Sequence, residues 1–227
     1  MNTTDFFSCE LKEQVPICLV VDTSHTMNKK SNHNGDVLKC EQVYIAVKHF
    51  LDDITKDDLI SNIFDICIIS CGGEKPRVIN DFSTASKINF PNITPNGRKP
   101  LGMAIELALD LLEERKEYYK KNKIGNYEPI LIILSDAQPA GLDYGFINSI
   151  ERCKRAVYEW KLIVVTFAVG DSARLDLLDK FCPEENTCYL EKESIFSKTL
   201  RFWQGFMLDK PMSADDPNIF SWLDEEI

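Results

Sequence analysis

The sequence predicts an α/β fold in which a mostly parallel central sheet is doubly wound, with helices covering both of its faces. Four short runs of the chain are almost continuously apolar, which is typical of parallel strands buried on both sides. Longer segments with helical periodicity lie between these runs, as crossover connections between parallel strands require. A length of 227 residues, 44% of them hydrophobic, is sufficient for one such domain with its own core.

The predicted buried strands cover residues 17–21, 64–70, 129–135 and 162–170. A further run, residues 77–84, follows two glycines and a proline within a short distance of the second strand. A hairpin at this point predicts one short antiparallel edge strand.

The clearest helix is predicted at residues 100–121, where Pro100 suits the first helical position. Its apolar residues fall on one face, which indicates packing against the sheet. Weaker helical patterns cover residues 38–54, 144–160, 173–181 and 194–208. Asp171 and Ser172 are predicted to cap the helix at 173–181.

Charge and composition narrow the classes of partner. A formal net charge of −10 argues against nucleic acid and acidic lipid as ligands, because both require a basic surface. The N-terminal residues do not resemble a secretion signal, and no apolar run has membrane-spanning length, so we expect a cytoplasmic protein. The sequence contains no CxxC pair, and its histidines are scattered, which argues against a structural zinc.

Three regions are expected along the chain: an N-terminal extension at residues 1–14, a single domain at 15–208, and an acidic tail at 209–227. The tail contains two prolines and five acidic residues between positions 210 and 227. Its apolar residues around Trp222 are expected to dock on the chain's own domain, with a partner protein as the alternative.

Oxygen-bearing side chains follow two of the predicted strands. Asp22, Ser24 and Thr26 occupy alternate positions after the first strand, and Asp136 directly follows the strand at 129–135. Ligands of open α/β sheets bind beyond the carboxyl ends of the strands. Carboxylates and hydroxyls are hard ligands suited to Mg²⁺ or Mn²⁺; the alternative is that Asp22 and Ser24 only cap turns. The second aspartate favours a metal-type site.

Four blocks of the sequence resemble a known family in the order of their occurrence: VVDTSHTMN, NGRKPLGMAIELALDLL, PILIILSDAQPAG and VVTFAVGDSARLDLLDKF. They resemble von Willebrand factor type A (VWA) domains, and most closely the bacterial TerY-like branch of tellurite-resistance and stress operons. The resemblance implies a Rossmann-like fold with a metal-ion-dependent adhesion site. The implied ligands of Mg²⁺ or Mn²⁺ are Asp22, Ser24, Thr26 and Asp136.

Lys99 departs from the family pattern, because it stands where these domains have a metal-binding threonine. A charged lysine has no acceptor, and at 4 Å with an effective dielectric constant near 20 it repels a divalent ion by roughly 8 kcal/mol. Two arrangements are open. Lys99 either takes the metal position and pairs with Asp22 and Asp136, or swings outward while water or Thr94 completes the coordination of a retained ion. We therefore expect metal binding to be weak or absent.

The loops around this site are expected to form a rim that contacts a partner, with His25, Met27 and Arg98 as its residues. His25 is adjacent to Ser24, but neighbouring side chains in an extended loop point apart. No acidic residue is placed to orient the imidazole. A catalytic triad is therefore not predicted.

The resemblance implies a non-catalytic protein-interaction module, an adaptor in a bacterial stress or defence system. It implies a Ser/Thr kinase and a PP2C-type phosphatase as partners. A rival interpretation is a Mg²⁺-dependent phosphatase of the haloacid dehalogenase type, with Asp22 as nucleophile assisted by Ser70, Lys99 and Asp136. That enzyme class needs a general acid two residues after the nucleophile, where this chain has Ser24. A third interpretation is a degenerate domain that associates through its helices or its tail.

Overall fold

A computed structural model of the chain describes residues 13–31, 37–92, 94–138, 145–182 and 187–209. Within these residues a sheet of six strands has the order β3-β2-β1-β4-β5-β6. The strands are β1 (Val15–Asp22), β2 (Phe64–Cys71), β3 (Arg77–Ser83), β4 (Ile130–Ser135), β5 (Ile163–Ala168) and β6 (Cys188–Tyr189). Every pairing is parallel except that of β2 with β3, so the predicted sheet with its antiparallel edge strand is confirmed.

Helices cover both faces of this sheet. They are α1 (Lys39–Lys56), α2 (Asp58–Ile63), α3 (Leu101–Lys121), α4 (Phe146–Tyr158), α5 (Leu175–Leu178) and α6 (Ile195–Asp209), with short 3₁₀ turns at His25–Asn28 and Ala85–Lys87. In the described part of the chain, no helix combines the length and apolarity that crossing a membrane requires.

Two hydrophobic cores form because β1 is apolar on both of its faces. Ile17 and Leu19 belong to the core under α1 and α6, whereas Cys18 and Val20 belong to the core under α3 and α4. All eight residues of β1 are buried, as expected for a central strand with helices on both sides.

Some local predictions need correction. The helix expected at 173–181 is shorter, since α5 begins at Leu175 with Arg174 at its N-cap. Asp171 and Ser172 therefore do not cap it, and the Ser172 hydroxyl instead accepts a hydrogen bond from Lys39. The two-residue strand β6 and the short helix α2 are not predicted, because neither is long enough to establish a period.

The expectations for residues 1–12 and for the acidic tail from residue 210 lie outside the described residues. The proposed boundaries at 14/15 and 208/209 stay predictions.

Candidate functional site

The parallel pairing of β1 with β4 brings two aspartates together at the carboxyl edge of the sheet. Val21 of β1 lies opposite Leu134 of β4, so Asp22 and Asp136 end up beyond the same edge. Both are buried, with 2% and 0% of their surface exposed. Burying two carboxylates this closely is costly unless each is hydrogen-bonded and paired with a positive charge.

Hydroxyl groups satisfy much of the hydrogen-bonding capacity of Asp22. Its Oδ1 accepts hydrogen bonds from the Ser24 backbone N–H at 2.9 Å and the Ser24 hydroxyl at 2.7 Å. The Ser24 hydroxyl also lies 3.0 Å from that of Thr26. Asp22 Oδ2 accepts a bond of 2.6 Å from the hydroxyl of Ser135, the last residue of β4. Ser135 was not among the predicted site residues, although its position directly before Asp136 was a usable signal.

Lys99 lies between the two carboxylates. Its Nζ is 2.8 Å from Asp22 Oδ2 and donates a hydrogen bond to Asp136 Oδ1, with 6% of the residue exposed. This is the inward arrangement of the two that the sequence left open.

The pKa values of this pair are shifted in opposite directions. Burial lowers the pKa of Lys99, but the negative charges of Asp22 and Asp136 outweigh burial, and the net pKa is raised. Burial raises the pKa of Asp136, but the Lys99 charge outweighs it, and the net pKa is lowered. Lys99 and Asp136 are therefore both charged at neutral pH.

A second lysine, Lys39, also reaches this cluster. Its Nζ lies 3.0 Å from Asp136 Oδ2 and 2.9 Å from the Ser172 hydroxyl, and none of its side chain is exposed. Gly170 permits this path, since a Cβ there would lie 2.6 Å from Lys39 Cε. Lys39 was not among the predicted site residues. One signal was available: it is the first residue of α1, where the helix dipole disfavours a positive charge.

The arrangement does not fit a divalent cation. All four oxygens of the two carboxylates accept hydrogen bonds from the protein. Asp136 Oδ1 accepts a second one, from the Gln138 backbone N–H at 3.0 Å. Asp22, Asp136, Lys39 and Lys99 sum to a formal charge of zero, so Mg²⁺ or Mn²⁺ would add two uncompensated charges.

The surface above the cluster, which we call the rim, is formed by the exposed residues of two loops, 23–28 and 94–98. His25 Nδ1 donates a hydrogen bond of 2.9 Å to the Gly97 carbonyl, and the Asn96 N–H donates to the Thr23 carbonyl at 2.9 Å. These bonds hold the two loops side by side. His25, Arg98 and Thr94 are exposed on the rim. Thr94 therefore does not reach the buried carboxylates.

Met27 has a different position from the one expected on the rim. Its side chain is fully buried in the core under α1. The cause is the 3₁₀ turn at His25–Asn28, which changes the side-chain period from two to about three and turns Met27 inward. The exposed rim is accordingly formed without it.

The chain is similar in structure to several solved proteins. No protein-family model matches the chain, and no curated protein matches it either. The chain is 15% identical to the SpRpn10 VWA domain, with a TM-score of 0.53, over 83% of this chain and 95% of that one. It is 12% identical to a manganese-loaded Plasmodium vivax TRAP protein, with a TM-score of 0.56, over 86% and 74% of the two chains.

A third solved structure is a von Willebrand factor type A protein from Catenulispora acidiphila. It is 11% identical, with a TM-score of 0.53, and the match covers 86% of this chain but 42% of that one. At these identities the likeness concerns the fold. The six-stranded sheet and its surrounding helices thus form the Rossmann-like α/β fold of VWA domains.

Proposed function

We propose that this chain is a non-catalytic interaction module that binds a protein partner through the rim and needs no divalent cation to do so. The observation that carries the proposal is the Lys99 ammonium group, which lies between Asp22 and Asp136. In VWA domains of the metal-dependent kind, residues at these positions hold the ion. The manganese-loaded TRAP protein shows that the same fold can bind a metal. Here two lysines already neutralise the carboxylates.

The exposed charges of the rim indicate the chemistry of its partner. Lys29 and Arg98 are exposed on or directly beside it, in a chain whose net charge is −10. A locally basic surface on an acidic protein attracts acidic or polar segments. Such complementarity determines orientation and association rate more than affinity. The partner segment is therefore acidic.

The resemblance to TerY-like proteins supports a more specific role. In that role the chain is a cytoplasmic adaptor in a bacterial stress or defence module, and it binds a Ser/Thr kinase and a PP2C-type phosphatase. The four sequence blocks that carry the resemblance surround the rim and the buried cluster.

Binding to a purified Ser/Thr kinase and a purified PP2C-type phosphatase from the same organism tests the role. Surface-immobilised parent protein, Arg98→Glu and Arg155→Glu are compared in EDTA and in millimolar Mg²⁺. Arg155 is an exposed arginine in the last turn of α4, and provides a matched control at the opposite edge of the sheet.

We expect at least one of the two enzymes to bind equally well in EDTA and Mg²⁺. Arg98→Glu should weaken that binding about tenfold, equivalent to about 1.4 kcal/mol, while Arg155→Glu leaves it unchanged. Loss of binding in EDTA would overturn the metal independence. Equal effects of the two variants would overturn the role of the rim, and no binding of either enzyme would overturn the adaptor role.

The phosphatase interpretation has less support. Asp22 is 2% exposed and both of its oxygens accept hydrogen bonds, so a nucleophilic attack by this carboxylate would have no open direction. The hydroxyl of Ser70 lies 2.7 Å from that of Thr23 and links the ends of β1 and β2. Mg²⁺-dependent hydrolysis of p-nitrophenyl phosphate that is lost in Asp22→Asn would restore this interpretation.

A further inference from the structure

The two buried lysines reach the carboxylates from different parts of the chain. Lys99 comes from the loop before α3 and contacts Asp22 Oδ2 and Asp136 Oδ1. Lys39 comes from the start of α1 and contacts Asp136 Oδ2. We infer that the two ammonium groups jointly take the place of a divalent cation, so that removal of both lysines, and not of either one, opens a site for Mg²⁺ or Mn²⁺.

The distribution of contacts explains why removing one lysine does not open the site to a divalent cation. Without Lys99, the Lys39 ammonium still occupies Asp136 Oδ2 at 3.0 Å, and would lie close to any ion bound by the same carboxylate. Without Lys39, the Lys99 ammonium still bridges both aspartates. In either case a dication would share a buried pocket with a positive charge, which opposes its binding.

Removal of both lysines changes the chemistry of the pocket. Two carboxylates then carry a formal charge of −2, and the hydroxyls of Ser24 and Thr26 lie on the Asp22 side. A threonine in place of Lys99 adds another hydroxyl. Carboxylate and hydroxyl oxygens with room for water are the ligands that Mg²⁺ and Mn²⁺ prefer.

The surroundings of Lys39 are built for its side chain. The residue is wholly buried, its ammonium group donates to the Ser172 hydroxyl at 2.9 Å, and Gly170 (φ +74°) leaves space for its methylene groups. Its position at the first residue of α1 is unfavourable with respect to the helix dipole. Asp136 compensates this cost, which ties Lys39 to the cluster.

The inference concerns the same site as the proposed function, but depends on the ion pairs and not on any partner. Its test is a titration with MnCl₂, monitored by the electron paramagnetic resonance signal of free Mn²⁺. The proteins are the parent, Lys99→Thr, Lys39→Met, the double variant Lys39→Met/Lys99→Thr, and the double variant with Asp136→Asn added. Circular dichroism and melting curves, with EDTA and with Mn²⁺, report the folding of each protein.

We expect the double variant alone to remove Mn²⁺ from solution, at about one ion per chain, and to melt at a higher temperature with Mn²⁺ than with EDTA. Adding Asp136→Asn should abolish both effects. Equal binding by Lys99→Thr alone, or by the parent, would overturn the joint role. A double variant that is folded without binding Mn²⁺, or unfolded even in its presence, would also overturn the inference. The Mn²⁺ titration does not involve a partner protein, so its outcome is independent of whether the kinase or the phosphatase binds.

Discussion

Two buried ion clusters lie at opposite edges of the sheet, and they are built differently. At the amino edge, Asp65 of β2 pairs with Arg115 of α3, whose Nε and Nη2 lie 2.7 and 2.6 Å from the carboxylate, and Tyr119 donates its hydroxyl to the same oxygen. The Arg115 side chain is 25% exposed and stacks on the Tyr118 ring at 4.6 Å. At the carboxyl edge, the side chains of Lys39 and Lys99 are only 0% and 3% exposed.

Because both clusters contain a buried carboxylate, such a group does not by itself mark a functional site. The amino-edge cluster joins one strand to one helix and keeps its cation in contact with water, which is sufficient for anchoring α3. The carboxyl-edge cluster joins the ends of β1 and β4, the start of α1 and the loop before α3. It also lies where open α/β sheets place their ligands. Location and the number of converging segments distinguish the two.

The largest expected effect is the loss of stability in Asp136→Asn. Lys39 would then lose the carboxylate that it contacts and Lys99 would keep only Asp22. Breaking a buried ion pair in this way costs about 3–5 kcal/mol. Urea unfolding followed by circular dichroism measures the change in the free energy of unfolding. A cost no greater than that of Asp65→Asn would remove the distinction between the two clusters.

The effect of Asp65→Asn should be smaller. Arg115 is partly exposed, so it can recover hydrogen bonds to water after its partner is neutralised. We expect a loss of about 1.5–3 kcal/mol, which is typical of a hydrogen bond to a charged group. The same urea experiment gives the value, and Tyr119→Phe provides a control that removes a single hydroxyl from this cluster. A larger loss than in Asp136→Asn would reverse the order of the two edges.

Acid should weaken the carboxyl-edge cluster in a defined pH window. The pKa of Asp136 is lower in the folded protein than in the unfolded chain, because the Lys99 charge outweighs the effect of burial. The stabilising effect of Asp136 is therefore fully present at a pH above the pKa of the unfolded chain, about 3.9. The effect is lost as the pH falls through the lower pKa of the folded protein. The difference in unfolding free energy between the parent and Asp136→Asn should be constant from about pH 5 to 8 and shrink below about pH 4. A difference that is unchanged at low pH would contradict the pairing.

The smallest expected effect on stability belongs to the rim. Arg98 is exposed, so Arg98→Glu should change the unfolding free energy by no more than about 0.5 kcal/mol. Thermal unfolding checks this value, with Arg155→Glu as the matched control. A substantial loss of stability would mean that Arg98 supports the fold, and its effect on partner binding could not then be assigned to the rim.

The sequence was sufficient to predict most of the fold because its signals are local. The central strands are unbroken apolar runs and α3 has a regular apolar face, so each could be recognised without knowledge of its neighbours. Parallel pairing then placed Asp22 and Asp136 at one edge. The short elements α5 and β6 depend on tertiary contacts and have too few residues to show a period.

The details of the site were less predictable because they depend on the reach and direction of side chains. Lys39 looks like an ordinary surface lysine of an amphipathic helix. Its methylene groups pass beside Gly170, however, and its ammonium group contacts Asp136. Met27 looks like a rim residue until a 3₁₀ turn directs it into the core. Neither outcome follows from spacing alone.

The most direct test of the central claim is the melting temperature of the unmodified protein, measured first in EDTA and then in millimolar Mn²⁺ or Mg²⁺. Because the ammonium groups of Lys39 and Lys99 already neutralise the carboxylates, we predict the same melting temperature in both conditions. An ion at about a hundred times its dissociation constant would add roughly 2.7 kcal/mol and raise the melting temperature by about 5–10 °C. A rise of that size in the parent, absent from Asp22→Ala, would contradict the replacement of the metal by the two lysines.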